Sequence, residues 1–181
     1  MRWPHFGITW LGIGSLLRSF PLLAVLPLAA GCISTVDPNL TPRNGYIRPQ
    51  SGSADPIVQQ GIALGTVSLS DGRLAASGCR GFVTKEPSFV LELMSEQPFL
   101  RIFTESHLDT MLMIRMPNGQ FVCDDNSIGW NPQIQGRFRS GVYAIWVGGT
   151  RRDLNASYNL GITRRQDVTS TGGPPAALPP R

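Results

Sequence analysis

The chain is poor in the side chains that carry most enzyme chemistry. Histidine occurs twice in 181 residues, and only His107 lies beyond position 31. Nucleophilic catalysis needs a nucleophile held by a base and an orienting group. His107 sits in a polar turn before Asp109, with no such partners in the pattern around it. There is no Gly-x-Ser-x-Gly elbow and no phosphate-cradling glycine loop. The few His and Cys are not clustered at zinc-ligand spacing. Glu86, Glu92, Glu96 and Glu105 are of the type that glycosidases pair, but nothing in the sequence brings two of them together. The expectation is that the chain is not an enzyme and has no resident cofactor.

Other absences are as informative. Lys85 is the only lysine, and the arginines are scattered rather than massed. A sequence pI near 9.4 therefore gives no basic patch, and nucleic acid is not an expected partner. No long run shows the 3.6-residue helical period, and no internal repeat stands out. No run of roughly 20 apolar residues is unbroken by charge, which is what a spanning helix needs. The two apolar patches near the front, residues 6–17 and 20–31, are separated by Arg18. Joining them as a membrane anchor would put Arg18 near mid-bilayer at about 2.5–3.5 kcal/mol, and Pro21 and Pro27 further weaken a straight helix.

What is present at the front is an export pattern. Residues 1–31 carry Arg2 and Arg18, an apolar core and the small residues Ala29-Ala30-Gly31. Ala29-Ala30-Gly31-Cys32 after an apolar run resembles the lipobox of bacterial lipoproteins, with Ala29 where Leu is commoner. The resemblance implies cleavage before Cys32, lipidation of its thiol with palmitate among the acyl chains of the anchor, and attachment to a membrane. Ile33, rather than Asp, after the cysteine implies the outer membrane of the cell envelope. The alternative is soluble secretion with an incidental Cys32. Without Arg2 and Arg18 the chain keeps 14 basic and 12 acidic side chains, a net charge of +2. If Cys32 carries lipid, Cys79 and Cys123 remain as an even pair in an oxidising compartment. A bridge between them would restrict the unfolded chain by roughly 4 kcal/mol, and the alternative is two free thiols.

Residues 32–62 are rich in Pro, Ser, Asn, Gly and Gln and show no apolar face, so they read as a flexible tether of roughly 30 Å. Residues 166–181 read as a disordered, Pro-rich tail. Between them, 63–165 changes to short apolar runs separated by turn residues. Phe89, Leu91 and Leu93 alternate with polar positions, as do Leu100, Ile102 and Thr104. Residues 110–116 are apolar on both faces except at Arg115, which fits a central strand. Pro117-Asn118-Gly119 then reverses the chain into a return strand ending at Cys123. Val142, Ala144 and Trp146 alternate with Tyr143, Ile145 and Val147, and Tyr158, Leu160 and Ile162 share one face. About eight short strands with regular turns predict an all-β, antiparallel sandwich.

The order of several pieces carries a second resemblance. Asp109-Thr110 leads into an apolar strand, and Pro117-Asn118-Gly119 is followed by Phe121-Val122-Cys123-Asp124-Asp125-Asn126. Gly141-Val142-Tyr143-Ala144-Ile145-Trp146-Val147-Gly148 comes later. This set looks like the bacterial pre-peptidase C-terminal domain family, over residues 78–163. The resemblance implies a small jelly-roll-like β-sandwich, non-catalytic, in a family some of whose members bind calcium or extracellular polymers. No protease precedes the module here, so protease activity is not carried over, although an accessory role to a secreted peptidase remains one reading.

Two candidate sites follow. Asp109, Asp124, Asp125 and Asn126 would lie at one end of the sheet if the hairpin pairs as described, and calcium takes six to eight oxygen ligands. The competing reading is that Asp and Asn merely end a strand by bonding nearby amides. Trp130, between Gly129 and Asn131 in a loop, is the aromatic best placed for surface contact, whereas Trp146 belongs to the core. The functional expectation is a lipid-anchored module that binds a protein or polysaccharide partner, or else a structural envelope lipoprotein.

Overall fold

The interior is fixed by one long strand whose two faces are both apolar. In the computed structural model, which describes residues 35–71, 74 and 78–171, this is β10 (Gly141–Gly149). The other strands, in chain order, are β1 (Tyr46–Ile47), β2 (Ile57–Ala63), β3 (Val67–Ser68), β4 (Phe82–Val83), β5 (Phe89–Leu93) and β6 (Gln97–Ser106). They continue with β7 (Thr110–Arg115), β8 (Phe121–Asp124), β9 (Gln133–Phe138) and β11 (Ala156–Thr163). None of the described residues lies in an α-helix.

These strands form a β-sandwich of two sheets. In the first, β10 pairs antiparallel with β5 on one side, Tyr143 opposite Leu91, and with β7 on the other, Trp146 opposite Met113. β8 extends the β7 side and β1 joins β5 in parallel. Gly149 faces Phe82 as well as Thr110, so β4, with β3 beyond it, lies on the β5 side. The chain between β4 and β5 bows away from β10, and Ser88 fills the break. Its amide donates to the Ile145 carbonyl at 2.7 Å, and its Oγ accepts from the Val147 amide at 3.0 Å. A buried serine is tolerated there because it satisfies ladder groups that the missing strand segment would otherwise leave bare. The second sheet runs β2-β11-β6-β9, all antiparallel.

The period-two alternation of β7 and β10 divides the apolar residues between two layers. Leu112, Ile114, Tyr143, Ile145 and Val147 meet Leu100, Ile102, Phe138, Leu160 and Ile162 between the sheets. Met111, Met113, Ala144 and Trp146 point the opposite way, into a second cluster with Val67, Leu69, Val83 and Cys79. The first sheet is therefore covered on both faces, as the unbroken apolar run of β7 implied. The Pro117-Asn118-Gly119 reversal is also present. Gly119 takes φ 87°, open to a residue without Cβ, and its amide donates to the Met116 carbonyl.

Both expected ends of the folded region need correction. Residues 32–62 were expected to be a flexible tether, but they contribute β1 and β2, and the ordered chain reaches back to Val36. Val36 packs on the second cluster, and the amides of Asp37, Arg43 and Asn44 donate to the carbonyls of Lys85, Pro87 and Ser88. The apolar face of β2 is hard to see because it is inverted: Val58 and Ile62 face outward, and the inward positions include Gly61 and Ala63. Tyr158 fills that space instead. A Cβ on Gly61 would collide with the Tyr158 phenol and lie 2.9 Å from Asn44 Nδ2.

The run from 166 to 171 is not free either. It lies across the outer face of the second sheet, held by side chains of β6 and β9. Arg101 donates to the carbonyls of Gln166 (3.1 Å) and Val168, Thr169 donates to Gln133, and Thr171 bonds Glu105 through its amide (2.8 Å) and hydroxyl. Polar side chains rather than an apolar face anchor it, which is why composition suggested disorder. The proposed signal peptide, Cys32 and residues 172–181 lie outside the described residues.

Candidate functional site

Antiparallel pairing brings three connections to one end of the sandwich: β6 to β7, β8 to β9, and β10 to β11. This end holds every internal site residue that the sequence singled out. Cys79 and Cys123 are joined by a disulfide, with Cα atoms 5.5 Å apart. The bond ties the coil before β4 to β8 and closes one side of the second cluster.

The acidic group at this end does not form a calcium shell. Among the described residues, no three His, Cys, Asp or Glu side chains are grouped to hold a metal. Asp124 Oδ2 accepts the amides of Ser127 (3.2 Å) and Gln133 (2.7 Å), so the carboxylate ends β8 and steers the chain into β9. Asp109 sits beneath the connection after β10. Burial is the main force raising its carboxyl above the ordinary aspartate range, and the Asp125 charge adds to it, whereas a Thr150 hydrogen bond and Arg151 oppose the shift. One Asp109 oxygen, Oδ1, is buried with no hydrogen-bond partner. Of the calcium set Asp109, Asp124, Asp125 and Asn126, Asp124 follows the strand-ending alternative, committed to backbone amides, and Asp109 is a partly desolvated acid bonded by Thr150.

Trp130 caps a tight turn on the same end. Ile128 and Asn131 exchange both backbone hydrogen bonds at 3.0 Å, and Asn131, buried, accepts the Ser106 amide through Oδ1 at 2.9 Å. The turn is thus fastened to the end of β6 while the indole stays 42% exposed, with Leu108 40% exposed in the neighbouring connection. A depression of about 300 Å³ lies nearby, lined by Gly78, Arg80, Met111, Cys123, Asp124 and Asp125. His107 is exposed in the β6–β7 turn and does not line it.

Sequence reasoning missed a second opening, at the opposite end. A cleft of about 260 Å³ lies between the sheets, with Ile57, Leu93, Leu100 and Ile162 at its floor and Asp55 and Arg164 at its rim. Asp55 accepts from the Thr163 hydroxyl and from the Arg164 amide and Nε, both at 3.2 Å. Burial pushes its carboxyl upward, but these hydrogen bonds and the Arg164 charge outweigh that and hold it below the ordinary value. No sequence signal marked this cleft, because Asp55 and Arg164 are 109 residues apart and meet only once β2 pairs with β11. The chain matches no protein-family model, no curated protein and no solved structure.

Proposed function

We propose that the protein is a lipid-anchored, non-catalytic β-sandwich of the bacterial envelope that binds a protein or polysaccharide partner through its Trp130 end. One observation carries the binding reading. The exposed indole of Trp130 stands on a turn fastened to the sandwich, at the same end as exposed Leu108. A rigidly held aromatic offers contact area at low ordering cost, and aromatic residues are enriched at the energetic centres of interfaces. A non-catalytic role is supported by His107 lining neither of these openings and by the commitment of Asp124 and Asp55 to holding the chain. Membrane attachment rests on the lipobox resemblance at Cys32, and the likeness to the pre-peptidase C-terminal family rests on ordered motifs in a β-sandwich.

Two measurements test this reading. Mass spectrometry of the exported chain should find Cys32 at the N-terminus and acylated, and Cys32→Ala should abolish membrane association. Envelope proteins and envelope polysaccharide should be retained by the immobilised wild-type protein and lost with Trp130→Ala at unchanged thermal midpoint. Equal retention by both proteins would remove Trp130 from the binding surface.

A further inference from the structure

The ordered chain begins much closer to Cys32 than its composition implied. Only Ile33, Ser34 and Thr35 separate Cys32 from Val36, which is packed on the second cluster. Four Cα steps reach at most about 14 Å when fully extended. The backbone from Asp37 to Asn44 is then fixed to the 85–88 stretch by three hydrogen bonds of 2.8–2.9 Å. An acylated Cys32 therefore has no slack from which to suspend the domain.

Resting on the lipid reading given above, we infer that the anchored domain is seated directly on the bilayer through its 36–44 segment, with β9 turned to the aqueous side. Val36 lies on the face of the first sheet that points away from the second sheet. Asn44 bonds the Tyr158 hydroxyl at 3.2 Å and approaches Gly61, so this segment also lies on the β1–β2 side of the sandwich. β9 is at the other edge of the second sheet, on the other layer. Three strand spacings across the sheet amount to about 14 Å, and the two sheets lie about 10 Å apart. The domain could rest on its face or on its side, and β9 would be raised in both cases.

Leu40, 38% exposed in the middle of the segment, faces outward where the headgroups would lie. The charges around it nearly balance. Asp37 and Glu86 stand against Arg43 and Lys85, and Arg43 approaches Glu86 at 3.6 Å. The chemistry of the contact is thus a short covalent leash and a small apolar touch, not attraction to anionic lipid. High salt should leave the seating unchanged.

The test uses the full acylated protein, purified from membranes and placed in nanodiscs containing headgroup spin-labelled lipid. Amide NMR signals of Asn39 to Arg43 should be broadened away, while those of Gln135 and Arg137 in β9 persist. Inserting about 20 Gly/Ser residues between Ser34 and Thr35 gives a leash of roughly 25 Å and should restore the Asn39 to Arg43 signals. Equal broadening of both sets, or no change on insertion, overturns the inference while leaving acylation intact. A contrast that high salt removes also overturns it, since the seating would then be electrostatic. Mass spectrometry of the same sample separates these outcomes from failure of the lipid reading: an unmodified Cys32 removes both.

Discussion

Arg101 should decide whether the C-terminal run stays on the second sheet. It is an unusual residue to find 8% exposed in the middle of a strand. Its Nε donates to Gln135 at 2.8 Å and its Nη1 to the carbonyls of Gln166 and Val168, while the guanidinium carbon lies 5.3 Å from the centre of the Phe99 ring. Arg101→Met keeps the aliphatic stem and removes every donor. Hydrogen bonds to a charged group contribute about 1.5–3 kcal/mol each, so the two to the run should be worth about 3 kcal/mol at the low end. At about 1.4 kcal/mol per factor of ten, the local opening equilibrium shifts about a hundredfold. The amide of Thr171 reports it, because that amide donates to Glu105 only while the run is docked. Its hydrogen exchange should accelerate by about that factor, with the amide of Ile145 in the central strand unchanged. Arg101→Lys should recover only part of the protection, since an ammonium cannot present the guanidinium fork. Unchanged exchange at Thr171 in Arg101→Met would refute the reasoning, leaving Thr169 and Thr171 as the groups that hold the run.

Three other outcomes are expected. The double variant Cys79→Ala/Cys123→Ala should lose up to about 4 kcal/mol in urea unfolding, and reductant should bring the wild type to the same midpoint; insensitivity to reductant would show that the bridge adds nothing. Asp109→Asn should stabilise the protein by about 1 kcal/mol at pH 7, by removing a partly buried charge with an unpartnered oxygen. The sign follows from the raised carboxyl: the folded state holds its proton more tightly, so stability falls as pH rises through the folded value, and the difference between variant and wild type should vanish in acid. Asp55 behaves oppositely. Its carboxyl is held below the ordinary aspartate value, so its contribution is present above that range and is lost as pH falls through the lower folded value. Asp55→Asn should cost roughly 1 kcal/mol in thermal unfolding at pH 7 and nothing once the wild-type acid is protonated.

The middle of the fold was legible because its strands carry apolar residues at every second position or, in β7 and β10, on both faces. β5, β7, β10 and β11 each carry the period that a half- or fully buried strand requires, and Pro117-Asn118-Gly119 names its own turn. The disulfide pair was legible from cysteine parity. What stayed hidden depends on partners distant in sequence. β2 shows its apolar residues to solvent and Gly61 to the core, which makes sense only with the Tyr158 ring beneath it. Residues 166–171 contain almost nothing apolar, and Arg101, Gln133 and Glu105, on strands distant in sequence, give them somewhere to bind. Ser88 has the same character, a buried polar residue explained by a strand that bows outward. The acidic cluster was legible as a group, but its role as strand terminator required knowing that the Gln133 amide reaches Asp124. Trp130 was legible as an exposed loop aromatic, and its fastening through Asn131 was not.

On the lipid-anchored reading proposed above, the order seen in residues 36–62 and 166–171 changes what the domain can do. A tether of about 30 residues would allow the sandwich to search a volume about 30 Å deep for its partner. With Val36 packed on the second cluster, that depth would shrink to about 14 Å, and the proposed lipid contact would move as one body with the Trp130 end. Flexible linkage raises the effective concentration of a partner over a broad shell, whereas a short leash favours only partners presented at a fixed height and angle. A binding partner of the anchored protein should therefore itself be held at the membrane. Lengthening the leash should weaken that association even though every residue of the Trp130 end is intact.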